Sequence, residues 1–282
     1  MNASPSCLPI SEGAVRRELE KLIGKTRADR FQFSISAETA STNGEAKLAG
    51  LNSESDSHVF LTEHQTAGRG RRENRWESPP GANLLFSILQ RIPDDISIQN
   101  WTRVPHLAAL SIGMGIESCI PDLQPIQLKW PNDLMIGGKK LAGILVESNQ
   151  AAGSESSASF CVVGTGLNVN MADRDLPGSI RHLATSLAIE SDQLHCRAKL
   201  LAHILAEWSA VFPGGLRDFE SIRTAVDSRS YLRGHSIEIL QGDRLRQGKA
   251  RGIGEFGELI LETSDGNEEQ IYAADQVRRT VP

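Results

Sequence analysis

The chain has 282 residues, a formal net charge of -5 and a sequence pI near 5.8, with 39% hydrophobic and 23% charged residues. This composition is ordinary for one large domain and a small one, no apolar run reaches the roughly 18 residues of a membrane span, and the N-terminal segment does not match a secretory signal. We therefore expect a cytoplasmic protein that does not bind membranes, whose acidic field repels polyanions except at a local basic patch.

The first part of the chain is polar, apart from a helical pattern of apolar side chains at Val15, Leu19, Leu22 and Ile23. This segment is too short for an independent domain, so we predict an N-terminal arm over residues 1–30.

A strand and a helix are predicted next. Phe31, Phe33 and Ile35 alternate with polar residues, as in a strand. The segment STNGEAKLAG then starts a helix, in which Thr42 and Glu45 have the spacing of a capping box.

Predicted strands at 58–65 and 82–91 flank an arginine-rich loop, GRGRRENRW at 68–76, which we call the Arg loop. Its glycines disfavour regular structure and let the backbone approach a ligand, and its guanidinium groups can bind carboxylate or phosphate. The loop alone leaves open a phosphate site, a solvated loop, an RNA-binding patch and a surface for an acidic partner.

The middle of the chain predicts a helix from about Asn100 to Cys119, which tolerates Pro105 in its first turns, and then a strand in PIQLKW. Two apolar runs around Gly137 and Gly138 predict a hairpin.

The segment KWPNDLMIGGKKLAGILVE at 129–147 puts an asparagine and a carboxylate in a turn at a strand end, where ligands often bind. Lys140 follows within an apolar strand, which must pair its ammonium group or expose it. The residues alone leave Lys140 as a ligand contact or as a solvated residue of an edge strand.

The segment GTGLNVN at 164–170 lacks the third glycine of a dinucleotide-binding motif, so Asn168 is either a turn residue or a nucleotide contact. The sequence contains no P-loop, no nucleophile motif and no histidine cluster for a metal. The cysteines, which are widely spaced, predict free thiols; they are Cys7, Cys119, Cys161 and Cys196.

The remaining chain predicts an exposed loop over 149–159, a helix with one apolar stripe and a small β domain after Ser228. The stripe consists of Leu194, Ala198, Leu201, Leu205, Trp208 and Phe212.

Together, the motifs resemble the biotin protein ligase family in their order and spacing. They are STN at 41–43, QTAGRGRR at 65–72 before Trp76, SPPGANLLFSI at 78–88, KWPNDL at 129–134, KKLAGILVE at 139–147 and GTGLNVN at 164–170. The resemblance implies an α+β fold in which a mixed β-sheet backed by helices, as in class II synthetases, forms a catalytic domain at 31–228. It also implies a small C-terminal SH3-like β-barrel at 229–282.

The implied activity is that of an ATP-dependent ligase, which forms biotinyl-5′-AMP from biotin and ATP and then transfers biotin to a lysine. That lysine belongs to a biotin carboxyl carrier domain of a carboxylase. The resemblance implies that Arg69, Arg71 and Lys140 are catalytic. It implies a biotin site of Ser41, Thr42, Asn43, Gln65, Gly68, Arg69, Gly70, Arg71, Lys140 and Gly143. It implies an ATP site of Arg71, Arg72, Trp76, Asn132, Asp133 and Asn168, with Asp133 as a contact to Mg2+.

Two departures and two alternatives accompany this resemblance. Glu73 and Asn74 stand where the fullest motif has glycine and arginine, which leaves loop flexibility and one basic contact in doubt. The N-terminal arm is too short for the family's DNA-binding domain, so we expect no DNA binding; a homodimer is compatible with the resemblance. The alternatives are a lipoate or octanoate protein ligase of the related fold and a non-catalytic nucleic-acid-binding protein.

Overall fold

The computed structural model describes residues 9–51, 56–72, 74–149, 159–212 and 214–280. Parts of three sequence predictions therefore lie outside the described residues: the start of the N-terminal arm with Cys7, Glu73, and most of the loop at 149–159. Within the described ranges, every helix is too short or too polar to cross a membrane.

Seven strands form the large sheet: β1 Phe31–Thr39, β2 Ser57–Gln65, β3 Leu84–Arg91, β4 Gln127–Lys129, β5 Asp133–Ile136, β6 Lys139–Asn149 and β7 Phe160–Leu167. Their order across the sheet is β1-β2-β3-β7-β6-β5-β4. Only β1 and β2 run parallel, and they are joined by the crossover helix α3, Thr42–Gly50, as a parallel connection requires. The predicted mixed sheet is thus confirmed.

The other helices are α1 Glu12–Ile23, α2 Lys25–Ala28, α4 Val104–Cys119, α5 Leu187–Ser191, α6 Arg197–Val211, α7 Gly214–Arg217 and α8 Glu220–Ser228. On one face of the sheet, α1, α4 and α6 pack together over the main core. On the other face, Ala46 of α3 packs with Phe160 and Val162 of β7 in a second apolar cluster. The N-terminal part contributes to the main core, where Val15 and Leu19 are fully buried.

The C-terminal part is a five-stranded antiparallel sheet in the order β11-β10-β9-β8-β12, which agrees with the predicted SH3-like domain. Its strands are β8 Ser236–Gln241, β9 Arg244–Ile253, β10 Leu259–Glu262, β11 Glu268–Ile271 and β12 Gln276–Arg279. The turn at Gly257 reaches the large domain: its carbonyl accepts from Trp130 Nε1 at 3.0 Å and His106 Nε2 at 2.8 Å.

The hairpin prediction is confirmed between β5 and β6. Gly137 and Gly138 have φ of +55° and +79°, the left-handed pair that a tight two-residue turn requires.

The predicted capping box is wrong. Ser41 is the N-cap, Thr42 lies inside the first turn, and Glu45 accepts from the Thr39 hydroxyl at 2.5 Å. Thr42 is instead drawn toward the sheet, since its backbone N–H donates to Gln65 Oε1.

Two helix predictions also need correction. A 3-10 turn at Ile98–Arg103 precedes α4, and the α-helix begins next to Pro105, because proline is accommodated in a first turn whose N–H groups have no intrahelical acceptor. Leu194 precedes α6 and is 51% exposed, so it is not part of the buried stripe.

Candidate active site

The floor of the pocket is formed by β7, on the face that α3 covers, where glycines follow residues with large side chains. Side chains alternate along a strand, so Gly164 and Gly166 continue the row that begins with Phe160 and Val162. Gly166 pairs directly with Gly143 of β6. These glycines leave room beside the end of α3 for a cavity of about 210 Å3.

Trp76 packs on this floor. A Cβ built on Gly166 would stand 2.6 Å from the indole Nε1, and one on Gly143 would stand 3.1 Å from Cζ3. The indole therefore requires glycine at Gly166. Lys140 Nζ lies 5.8 Å from the ring centroid, within the range of a cation–π interaction.

One end of the cavity presents buried hydrogen-bonding groups. Thr42 donates its backbone N–H to Gln65 Oε1 at 2.9 Å. The Ser87 hydroxyl lies 2.7 Å from Thr42 Oγ1 and 2.6 Å from Asn43 Oδ1. Since these groups hold one another, this end can offer donors and acceptors of fixed direction to a ligand.

The opposite end combines an ion pair with an amide. Lys140 Nζ lies 2.6 Å from Asp133 Oδ1, and both side chains are mostly buried. Asn132 Nδ2 donates to the Ile144 carbonyl at 2.9 Å, which fixes the direction of its amide. Because Lys140 pairs with Met135 of β5 on one side and forms a bridge with Ala184 on the other, the edge-strand interpretation of Lys140 is wrong.

The Arg loop closes on itself between Gly70 and Asn74. Gly70 N–H donates to the Asn74 carbonyl at 2.6 Å, and Asn74 N–H donates to the Arg71 carbonyl at 3.2 Å. Arg69 and Arg75 form an antiparallel bridge next to this turn, so part of the loop is regular, contrary to our expectation.

The arginines of the loop have different partners. Arg69 Nη2 lies 3.0 Å from Glu147 Oε2. Arg71 donates to Asn132 Oδ1 at 3.2 Å and to the Ala274 carbonyl at 3.3 Å. Arg72, at φ +55°, pairs with Asp275. The loop therefore contacts both the large domain and the segment that joins β11 to β12 in the C-terminal domain.

Most of the site residues expected from the sequence meet in this one cavity. They are Ser41, Thr42, Asn43, Gln65, Arg69, Gly70, Arg71, Trp76, Asn132, Asp133, Lys140 and Gly143.

Three expected residues lie outside the cavity wall. Gly68 packs beneath Trp76, whose carbonyl oxygen would stand 2.5 Å from a Cβ there. Arg72 is paired with Asp275. Asn168 is buried directly after β7 and donates Nδ2 to the Thr185 carbonyl at 2.9 Å.

Sequence reasoning missed part of the lining: Asn74, Arg75, Ile144, Leu145, Gly164, Thr165, Gly166 and Asp275. The alternating glycines of GTG were a usable signal, because small residues at every second position of a strand mark a close approach. No local signal identifies Asp275, which reaches the cavity from the C-terminal sheet.

The lining is rich in positive charge. Arg69, Arg71, Arg75 and Lys140 face only two lining carboxylates, Asp133 and Asp275. Burial lowers the pKa of Arg71, the neighbouring Arg72 lowers it further, and Asp133 opposes the shift. Burial likewise lowers the pKa of nearby Lys129. An anion in the cavity would relieve this repulsion, so the basic patch of this acidic chain suits a ligand with several negative charges.

Carboxylates are too few here for a metal site made by protein alone. Among the described residues, no group of three or more His, Cys, Asp or Glu side chains could hold a metal ion. Asp133 supplies a single carboxylate. This is what is expected at a site where the phosphates of a ligand complete the coordination of Mg2+.

Comparisons with known proteins agree with this geometry. Residues 37–168 match the biotin/lipoate A/B protein ligase family, and residues 234–277 match the biotin protein ligase C terminal domain. The chain is 32% identical to the bifunctional ligase/repressor BirA of Bacillus spizizenii, over 93% of this chain and 83% of the relative. It is 30% identical to the biotin–[acetyl-CoA-carboxylase] ligase of Mycobacterium tuberculosis, over 95% and 96% of the two chains. The biotin protein ligase of Aquifex aeolicus, solved with biotin and ATP, superposes with a TM-score of 0.73 at 26% identity, covering 88% of this chain and 99% of that one.

Proposed function

This chain belongs to the biotin protein ligase family, and we propose from its site that it joins biotin to ATP and transfers biotin to a carrier-protein lysine. The relatives that are named biotin–[acetyl-CoA-carboxylase] ligases favour biotin over lipoate or octanoate, and a carboxylase carrier domain as the acceptor.

The observation that carries this proposal is the meeting of four cationic side chains over a glycine floor, next to a neutral polar end. A neutral end with fixed donors and acceptors suits the uncharged rings of biotin. A cationic centre suits its carboxylate and the phosphates of ATP. We therefore place biotin toward Thr42, Asn43 and Gln65, and ATP toward Asn132 and Asp133.

The first step requires two anions to approach each other. The biotin carboxylate attacks the α-phosphorus of ATP, and the bond to the bridging oxygen breaks, releasing pyrophosphate. Arg69, Arg71 and Lys140 lower the barrier, because positive charge in a water-poor cavity stabilises the charge that spreads over the reacting oxygens.

Lys140 is held for this role by Asp133 at 2.6 Å, which keeps the ammonium at the centre of the cavity. Arg72 contributes to phosphate binding only if it leaves Asp275, because the two now form an ion pair. The cavity of about 210 Å3 is smaller than the roughly 300–1,000 Å3 of small-molecule sites, so rim side chains must move to admit both substrates.

Asp133 would hold a magnesium ion together with the phosphates of ATP. The ion, when bound, would supply further neutralisation of phosphate charge. Asn132 is already committed to Arg71 and Ile144, which leaves Asp133 as the protein's contact.

The second step joins biotin to its acceptor. The neutral amine of the carrier lysine attacks the acyl carbon of biotinyl-5′-AMP, an amide forms as the nitrogen loses a proton to solvent, and AMP leaves with the bonding electrons. This mixed anhydride reacts readily with water, so closure of the Arg loop would protect it until the carrier arrives.

Biotin-dependent exchange of labelled pyrophosphate into ATP tests the proposal directly. We expect exchange with biotin and much weaker exchange with lipoate or octanoate at equal concentration. Exchange supported best by lipoate or octanoate would favour the related ligase instead. RNA binding that depends on salt, without any exchange, would favour the non-catalytic alternative.

A further inference from the structure

Glu147 lies on the site face of β6 but outside the cavity wall. It pairs with Val162 across β6 and β7, so it shares the face that carries Gly164 and Gly166. Its side chain is only 19% exposed. The proposed reaction so far gives this buried carboxylate no role.

Three donors converge on Glu147. Asn43 Nδ2 donates to Oε2 at 2.9 Å, Arg69 Nη2 lies 3.0 Å from the same oxygen, and Lys47 Nζ lies 3.1 Å from Oε1. Asn43 and Lys47 are one turn apart on α3, whereas Arg69 comes from the Arg loop. Glu147 therefore ties α3 and the loop to the sheet at one point.

The charge of Glu147 fits this position. Burial alone would raise its pKa, but the hydrogen bonds from Asn43 and Lys47, together with the charge of Arg69, lower it below the ordinary value. A carboxylate that stays ionised near neutral pH can orient all three donors at once.

The amide of Asn43 is directed by this carboxylate. Asn43 Nδ2 also donates to the Leu145 carbonyl at 3.3 Å, and with Nδ2 bound in this way Asn43 Oδ1 faces the Ser87 hydroxyl at 2.6 Å. Asn43 lines the cavity and is 4% exposed. A reversed amide would therefore leave buried donors and acceptors without matching partners at the neutral end of the cavity.

The guanidinium of Arg69 is held from behind in the same way. One of its nitrogens faces Glu147, which leaves its other N–H donors for the cavity that Arg69 lines. Arg69 is about half exposed, so without this contact it would be free to turn toward solvent.

We propose that Glu147 is a positioning residue for biotin, which acts through Asn43 and Arg69 by fixing the orientation of the Asn43 amide and of the Arg69 guanidinium. The inference deepens the proposed function and rests on it. Glu147 does not line the cavity, so its role is to preorganise the site for the vitamin rather than to contact it.

The Glu147→Gln variant tests this role, because glutamine keeps the shape and removes the charge. We expect the KM for biotin to rise about 10-fold, the scale for weakening a hydrogen bond to a charged group, with the KM for ATP nearly unchanged and a smaller fall in kcat, because Arg69 also serves the first step. Calorimetric titration with biotin alone should show the same loss of affinity. Glu147→Asp, which keeps the charge, should recover much of the loss.

Glu38→Gln is the matched control. Glu38 is a carboxylate on β1 that pairs with His64 and does not line the cavity, so its loss should leave biotin binding unchanged.

A double-mutant cycle separates positioning from general damage. In an Arg69→Gln background, Glu147→Gln should cost distinctly less biotin affinity than in the wild type. The contact between Glu147 and Arg69 is already lost there, so only the effect through Asn43 remains. Equal costs in both backgrounds, an unchanged KM for biotin, or a fall in kcat alone would each overturn the inference. Biotin affinity is measured below the thermal transition of every variant, so lost stability is not mistaken for lost positioning. Absence of biotin-dependent exchange in the wild type would refute the proposed function instead.

Discussion

At the scale of single residues, the site depends on ions that are paired within the cavity. Lys140 and Asp133 lie 2.6 Å apart and their side chains are 37% and 20% exposed, so removal of either leaves the other partly buried and without its closest charged partner. A charge held at a partly buried site acts on an anion more strongly than it would in water.

Lys140→Ala should lower biotin-dependent pyrophosphate exchange about 100-fold, the scale for losing one preorganised charge contact. Lys139→Ala is the control, since Lys139 adjoins Lys140 in sequence but does not line the cavity. Exchange by Lys140→Ala at the wild-type rate would refute a catalytic role for this lysine.

Arg71→Gly should still form biotinyl-5′-AMP but should release it. The substitution removes the contacts of Arg71 to Asn132 and to the Ala274 carbonyl, which hold the loop against both sheets. Free adenylate, separated by chromatography after a single turnover, should exceed that of the wild type several-fold. An unchanged fraction of free adenylate would show that Arg71 does not retain the intermediate.

At the scale of secondary structure, β6 and β7 form the cavity because glycines take the place of larger residues on one face of these strands. Two glycines of β7 and one of β6 leave the backbone bare on the site face, and Trp76 fills part of the space. The opposite faces of the same strands bury Val163, Leu167 and Ala142 in the main core, so the floor is rigid.

Gly166→Ala should displace Trp76, because the new Cβ would overlap the indole. Overpacking of this kind costs about 1–3 kcal/mol, which is enough to displace the indole ring without disrupting the sheet. We expect a shift in tryptophan fluorescence and a KM for ATP raised about 10-fold, because a loss of about 1.4 kcal/mol in binding corresponds to a factor of ten in affinity. Gly178→Ala, with no atom within 4 Å of its Cβ position, is the control. Unchanged nucleotide binding in Gly166→Ala would argue against a nucleotide role for Trp76.

At the scale of the whole molecule, the C-terminal sheet is joined to the large domain through a few specific contacts. The Gly257 carbonyl accepts from His106 and Trp130, and Trp130 directly precedes the Pro-Asn-Asp turn of the site. Through these contacts the C-terminal domain supports the motif that carries Asn132 and Asp133.

The protein should lose stability as the pH falls from about 6.5 to 4. Burial lowers the pKa of His106 from its ordinary 6.5 to about 4, although its hydrogen bond to Gly257 opposes the shift. The folded state therefore holds the neutral ring while the unfolded state takes up a proton. The contribution of neutral His106 to the free energy of unfolding is complete above pH 6.5. It is lost on acidification, and the free energy of unfolding falls by roughly 3 kcal/mol, at about 1.4 kcal/mol for each pH unit.

Urea unfolding at several pH values measures this effect. His106→Gln should flatten the dependence of the free energy of unfolding on pH between 6.5 and 4, relative to the wild type. The exposed His182 is the matched position, and His182→Gln should leave the wild-type dependence intact. An equal slope in wild type and His106→Gln would contradict the assignment.

Local patterns predicted much of the molecule. Alternation and turn chemistry predicted individual strands, the hairpin at Gly137 and the small β domain, because these features depend on neighbours in sequence, whereas the mixed sheet was implied by the resemblance to the ligase family. The capping box failed, since the side chain of Gln65, distant in sequence, competes for Thr42. The motifs that resemble the ligase family also gave most of the residues that meet in the cavity.

The sequence by itself determined which residues bear charge and which strands they occupy, since the motifs are contiguous segments with local structural preferences. Only the tertiary structure decided how those segments meet. The β6–β7 register makes one floor of Gly143 and Gly166, and brings Glu147 to the Arg loop. The packing of the C-terminal sheet adds Asp275 to the cavity. These contacts join residues far apart in the chain, and no local pattern encodes them, because they depend on the packing of complete elements.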